Sequence, residues 1–269
     1  MKIQGNYIIH NHILFPEKDI QISDSPDFFV VYEVFRVEQN TPLFLMDHLT
    51  RLFNSLQKAV ERVSFSKNEI THDIQQLIKR ESIPNGNIRI SCIATKKEVV
   101  DCYIYYIPAS YPTKEMYSQG VSTTLLYAER ENPNLKIDNT QTRKTAIQKL
   151  KESGHFEALL VNHNNHITEG SRSNVFFIQK NCIYTAAEHF ILPGIMRSKV
   201  IECILSENIE LKFEGIQPDQ LNTMDAAFIT GTSPRILPIS NVDSIMFDTN
   251  TPLLRRLMQK IEEKIMDSL

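Results

Sequence analysis

The chain has 269 residues, 42% hydrophobic and 23% charged, a composition that suits one large globular domain or two modest ones. Its net charge of −3 offers no basic field, so neither nucleic acid nor an anionic membrane is expected as a partner. The four cysteines, Cys92, Cys102, Cys182 and Cys203, form no CxxC pair, which removes zinc-finger and thioredoxin-like chemistry and fits buried thiols in a reducing compartment.

The opening MKIQGNYIIHNHILF has no apolar core of signal-peptide length, and no later stretch is long enough to span a bilayer; a cytoplasmic location is expected. His10 and His12 are spaced to share one strand face. With no acid or cysteine nearby in sequence they read as a surface strand, and no metal is expected. Residues 28–35 (FFVVYEVF) form a β-branched and aromatic run suited to a buried strand, with 41–45 as a shorter partner. A helix follows from about Asp47, its apolar face drawn from Leu49, Leu52, Phe53, Leu56, Val60 and Val63. Ser66-x-x-Glu69 is a capping box that opens a second helix, to about Arg80. Strands are predicted at 88–95 and 101–107, joined by Lys96-Lys97-Glu98. The polar, proline-bearing stretch 108–119 is read as a linker and divides the chain into domains at 1–112 and 120–269. Beyond it come a strand at 121–127, a helix at 142–153 ended by Gly154, and strands at 158–162 and 175–179. A helix after Gly194, a strand at 226–230 and a final amphipathic helix from Pro252 complete the chain. Strands mixed with helices, without regular βαβ alternation, predict an α+β fold.

Four local features carry chemistry. Glu169, in ITEGSRSNVFF, either caps a hairpin or presents a carboxylate on rigid backbone. A carboxylate so held can keep a pyridine nitrogen protonated. Lys136 lies 33 residues upstream in NPNLK. It is either a solvated charge or an amine nucleophile, which must be neutral to attack a carbonyl. Gly194-Ile195-Met196 opens a helix and Thr230-Gly231-Thr232 ends a strand, and both kinds of turn can cradle a phosphate. Arg51 stands off the apolar stripe of its helix, as a solvated arginine or a phosphate contact. A lysine, an acid and two such turns, in this order along the chain, suggest a pyridoxal phosphate site.

Together the blocks YEVFRV, PLFLMDHLTRLFNSL, HFEALLVNHNNHITEGSRSNVFFI, ILPGIMR and FITGTSPRILPI resemble the class IV aminotransferases, the fold type IV pyridoxal 5′-phosphate enzymes. That family includes branched-chain and D-amino acid aminotransferases and 4-amino-4-deoxychorismate lyases. The resemblance covers about residues 28–239. It implies a two-domain α+β fold, like D-amino acid aminotransferase, with the cofactor between the domains and a homodimer whose partner loop lines the site. It implies that Lys136, in the C-terminal domain, is the Schiff-base lysine, with Asn139 three residues on. Glu169 would pair with the pyridine nitrogen; Lys136 and Glu169 are thus the catalytic pair. Arg51, Ile195, Met196 and Thr232 would bind the phosphate, and Leu192 would pack on the ring. For a substrate carboxylate, Tyr32, Arg89 and Arg143 are the candidates.

Several positions depart from the family's patterns. Gln141 stands where branched-chain aminotransferases often carry a tyrosine. IATKKEVVDCY lacks the Arg-x-His pair of the D-amino acid enzymes, and SDSPDFF replaces a glycine-rich turn. Tyr32-Glu33-Val34 is closer to the aminotransferase pattern than to the lyase one. The implied activity is transfer of an amino group from a branched-chain-like amino acid to a 2-oxo acid. The same cofactor residues would serve a lyase releasing pyruvate and 4-aminobenzoate, or a non-catalytic protein that binds the cofactor.

Overall fold

The computed structural model describes residues 3–16, 27–138 and 140–269; Asn139 and residues 23–26 of SDSPDFF lie outside them. The chain forms two compact units. The first takes Met1–Ser110, Leu135–Asp138 and Ser268–Leu269; the second takes Tyr111–Asn134 and Asn139–Asp267. Residues 135–138, read from sequence as part of the C-terminal domain, therefore pack with the first unit. No described helix is long and apolar enough to cross a membrane.

In the first unit, β1 (Tyr7–His10) and β2 (Ile13–Pro16) form an N-terminal hairpin. Its turn holds His12 at φ 67°, so His12 leaves the strand and does not share a face with His10. Each histidine has an acidic neighbour that sequence distance hid: His10 Nε2 is 2.6 Å from Asp101, and His12 Nδ1 is 2.6 Å from Asp73. β3 (Phe29–Glu38) turns through Gln39 and Asn40, both at positive φ, into β4 (Thr41–Pro42). α1 (Leu45–Ala59) ends before Val60 and Val63, which the sequence places on its face. α2 (Lys67–Glu81) has its capping box: Ser66 Oγ accepts from Glu69 N at 3.3 Å, and Glu69 accepts from Ser66 N at 2.8 Å. β5 (Gly86–Ala94) and β6 (Val99–Ile107) pair as expected. The order β2-β1-β6-β5-β3-β4 makes a six-stranded antiparallel sheet. Val31, Phe35, Ile88, Ile90 and Ile104 bury one sheet face against Leu49, Leu52, Leu56, Ile70 and Leu77 of the two helices.

In the second unit, α3 (Lys114–Gln119) occupies part of the expected linker, its start capped by Thr113 Oγ1 accepting from Met116 N at 3.2 Å. β7 (Val121–Tyr127), α4 (Gln141–Ser153) and β8 (Glu157–Val161) form a parallel crossover, with Gly154 closing α4 at φ 72°. There follow β9 (Ile167–Gly170), β10 (Asn174–Gln179), β11 (Cys182–Tyr184), α5 (Ile195–Ser206) and β12 (Glu210–Lys212). β13 (Ala226–Gly231), β14 (Arg235–Val242), β15 (Ile245–Met246) and α6 (Pro252–Met266) complete it. Nine strands form one mixed sheet, β12-β11-β10-β13-β14-β7-β8-β9 with β15 beside β14. β9 also meets β10 where Glu169 faces Asn174, so the strands from β10 round to β9 close into a ring. The chain is thus α+β, with helices on an antiparallel sheet in one unit and a mixed sheet in the other.

Candidate active site

Alternation along β3 sends Val31, Glu33, Phe35 and Val37 to one side, where the three apolar residues join the helix-covered core. Glu33 is therefore a carboxylate with 0% exposure in an apolar layer. α1 brings His48 and Arg51, three residues apart, over it. Arg51 Nε donates to Glu33 Oε2 at 2.9 Å and Arg51 Nη2 to Oε1 at 2.6 Å; His48 Nδ1 lies 3.1 Å from Oε1. Burial pushes the Glu33 carboxyl up, but Arg51, Lys136 and His48 outweigh burial and hold it well below the usual carboxylate range. Burial also holds His48 below its ordinary value, against the pull of Glu33. An ionised carboxylate only accepts, so neutral His48 carries its hydrogen on Nδ1. Arg51 is not a solvated residue of α1: its side chain is 10% exposed and gripped along one edge.

Lys136 is fixed by its neighbours' backbone. Its carbonyl accepts from Tyr32 N at 3.0 Å, Asp138 N donates to Val30 O at 2.9 Å, and Ile137 bridges Val31. Residues 136–138 thus dock on the edge of β3, which explains their place in the first unit. Lys136 Nζ stands 5.1 Å from the centroid of the Tyr32 ring, and Arg89 Cζ stands 4.2 Å from the same centroid. Arg89, on β5, donates from Nε to Ser91 Oγ at 2.8 Å and from Nη2 to Asp138 Oδ2 at 2.5 Å. Ser91 Oγ is 3.0 Å from the Tyr105 hydroxyl. Of the three residues proposed for a substrate carboxylate, the structure gathers Tyr32 and Arg89 with Lys136. Arg143 lies in the first turn of α4, its amide capped by Thr140 Oγ1 at 3.4 Å. Arg89 already has an acid on it, so its charge is matched within the protein.

In the second unit Glu169 lies in β9, not in a turn, and is 2% exposed. Arg130 Nε is 3.2 Å from its Oε1, and Leu192 N donates to its Oε2 at 3.1 Å. Asn174, opposite Glu169 in the ladder, donates from Nδ2 to Leu192 O at 3.0 Å. The carboxylate and the Leu-Pro-Gly turn therefore hold each other. A Cβ on Gly194 would come within 2.1 Å of Asn174 Oδ1, so this close approach needs glycine. The serines after Glu169 are taken up by a second buried acid. Glu157, 1% exposed, accepts from Ser171 Oγ at 2.6 Å, Ser171 N at 3.2 Å and Ser173 Oγ at 2.8 Å.

Two features of this unit suit an anion. α5 begins at Ile195 after Gly194 with no side-chain cap, leaving the Ile195 and Met196 amides at the positive end of the helix. Thr230, at the end of β13, is 0% exposed and its hydroxyl has no hydrogen-bond partner among the described residues. Gly231 and Thr232 follow directly. An uncapped helix start and an unmatched hydroxyl are the donor set that a phosphate fits. Among the described residues no group of three or more His, Cys, Asp or Glu could hold a metal ion.

Five residues of these clusters escaped the sequence reading as site residues: Glu33, His48, Arg130, Asp138 and Glu157. Glu33 carried a signal, a lone acid inside FFVVYEVF. So did His48 and Arg51, spaced to share one side of a helix. Arg130, in an unremarkable AEREN loop, carried none.

The model of the family described as amino-transferase class IV matches residues 30–242. D-alanine aminotransferase of Bacillus licheniformis is 26% identical over 232 residues, 82% of this chain and 82% of that protein. Aminodeoxychorismate lyase of Bacillus subtilis is 26% identical over 271 residues, 92% of this chain and 90% of that protein. Among solved structures, the branched-chain amino acid aminotransferase of Escherichia coli superimposes with a TM-score of 0.88 at 20% identity, covering 97% of this chain and 95% of that one. That likeness confirms the expected fold. With the family's own pattern running through both units from β3 to β14, the chain belongs to the class IV aminotransferases, a family of pyridoxal phosphate-dependent enzymes.

Proposed function

We propose that the protein transfers an amino group from an amino acid, of branched-chain type, to a 2-oxo acid. The observation that carries the reading is the pair of preset groups. Lys136 is held by backbone bonds beside the Tyr32 ring, and a buried Glu169 is held from both of its oxygens. Lys136 would bond the cofactor's aldehyde carbon, Glu169 would accept from its ring nitrogen, and Leu192 would cover its ring. Arg51, the Ile195 and Met196 amides and the Thr232 hydroxyl would hold its phosphate, with the unmatched Thr230 hydroxyl close in sequence. When bound, pyridoxal phosphate supplies an electron-withdrawing ring that makes a proton on an amine-bearing carbon acidic. Lys136 Nζ, held beside the Tyr32 ring, would be the base that takes up that proton and gives it back. Arg130 and the Leu192 amide would offset a negative charge on Glu169 in that role. The family resemblance also supports a homodimer as the working form.

A second reading has its own support. The B. subtilis lyase matches over 92% of this chain. On that reading the same residues release pyruvate and 4-aminobenzoate from aminodeoxychorismate, with no amino acceptor. One experiment separates the two. The near-visible absorbance of the purified protein is followed while single amino acids, then aminodeoxychorismate, are added. Bleaching of the cofactor band by an amino acid, reversed by a 2-oxo acid, supports transfer. Pyruvate formed from aminodeoxychorismate alone overturns transfer and supports the lyase. Lys136→Ala is expected to lose turnover entirely with either substrate; retained activity would remove Lys136 from the mechanism.

A further inference from the structure

Glu33 is the most deeply buried charge in the first unit and has no role in the chemistry set out above. It sits at 0% exposure on an otherwise apolar side of β3, a position where an isolated carboxylate would be strongly disfavoured. Its partners explain how it persists there. Arg51 reaches it side-on with Nε and Nη2, so the two planar groups lie edge to edge. Neutral His48 adds a hydrogen bond to Oε1 without adding charge, and Val34 N donates to the same oxygen at 2.9 Å. The Glu33 carboxylate is thus pinned by its own strand and by α1. A guanidinium gripped along one edge by a pinned carboxylate can neither rotate about its Nε–Cζ axis nor swing with its stem.

We infer that Glu33 is a positioning residue: it presets the Arg51 guanidinium for the phosphate of the cofactor, giving up part of the cation's attraction in exchange for a fixed direction. The inference rests on the reading of Arg51 as a phosphate contact. It has a consequence that simple support of the fold does not. Loss of Glu33 must weaken ligands that carry the phosphate more than the same ligand without it.

The test compares pyridoxal phosphate with pyridoxal, each titrated into the full chain stripped of cofactor and followed by absorbance. The quantity read is the ratio of the two affinities. Arg51→Ala comes first and should collapse the ratio; an unchanged ratio would overturn the phosphate assignment of Arg51 itself, and with it this inference. Glu33→Gln should then lower the ratio about tenfold or more, the worth of one misdirected charge-assisted hydrogen bond. A ratio that rises would show that Glu33 acts only by cancelling the cation's charge. A ratio within about twofold of the parent, with a lowered melting temperature, would show that it only supports the fold. Both results overturn the inference. Should Glu33→Gln not fold, Arg51→Lys decides, because it keeps the buried ion pair but replaces the fork by a point charge. The ratio is expected to fall there too, and a parental ratio would overturn the inference.

Discussion

His48 and Glu33 make the protein's stability depend on pH in a stated direction. Both have folded-state proton affinities below their ordinary values, His48 through burial, Glu33 because its partners outweigh burial. As pH falls through about 6.5, the unfolded chain takes a proton on His48 that the folded chain does not, and stability falls. Below about 4.3 the same holds for Glu33, so a second and steeper loss follows. Melting temperature measured across this range should therefore decline in two stages on acidification. His48→Gln should remove the upper stage and keep the lower one. An upper stage that survives in His48→Gln would place it on other groups. At this scale the sequence was partly legible. A lone acid in FFVVYEVF asks for a buried partner, and His48 and Arg51 stand at the right spacing to supply it. The pairing of Arg130 with Glu169 was not legible, because only folding brings that loop to β9.

The start of α5 and the Glu169 strand form one mechanical element, joined through Asn174. Asn174 sits opposite Glu169 in the ladder, bonds Leu192 O, and leaves room at Gly194 for nothing larger than hydrogen. Gly194→Ala should force the Asn174 side chain away and cost about 1–3 kcal/mol, the lost hydrogen bond plus an unsatisfied buried group. Thermal unfolding of Gly194→Ala, Asn174→Ala and the double variant checks this. The double variant should be little worse than Asn174→Ala alone, since the clash is then gone. Simple additivity of the two losses would show that the glycine is needed for another reason. Elements with strong local signals were legible: the capping box of α2, the β-branched run of β7, and α4 with its closing Gly154. β9 was not, because its letters Ile-Thr-Glu-Gly look like a turn and its four residues are too few to show alternation. α3 was missed for a similar reason, since six helical residues inside a proline-bearing stretch leave no period to read.

Neither unit is a continuous piece of the chain. The first borrows Leu135–Asp138 from a stretch that otherwise belongs to the second. No composition shift announces so short an excursion, whereas the order of the larger blocks from β3 to β14 was plain in the sequence. A fragment of residues 1–110 would keep its six-stranded sheet but expose the β3 edge, with Val30 O and Tyr32 N losing their partners. Such a fragment should associate, and adding residues 135–138 back through a short linker should reduce that association, as read by light scattering after gel filtration. Equal behaviour of the two fragments would show that the edge is covered in another way. The full chain draws a further benefit from that docking. Where Nζ of Lys136 stands is set by the register of residues 136–138 on β3, and the stretch 128–134 needs only to reach it. Apart from Arg130, which pairs with Glu169, and Asn134, which bonds the Glu188 and Ile191 carbonyls, that stretch can change its letters over evolutionary time without moving the amine, so divergence is cheaper at its other positions than just after the lysine.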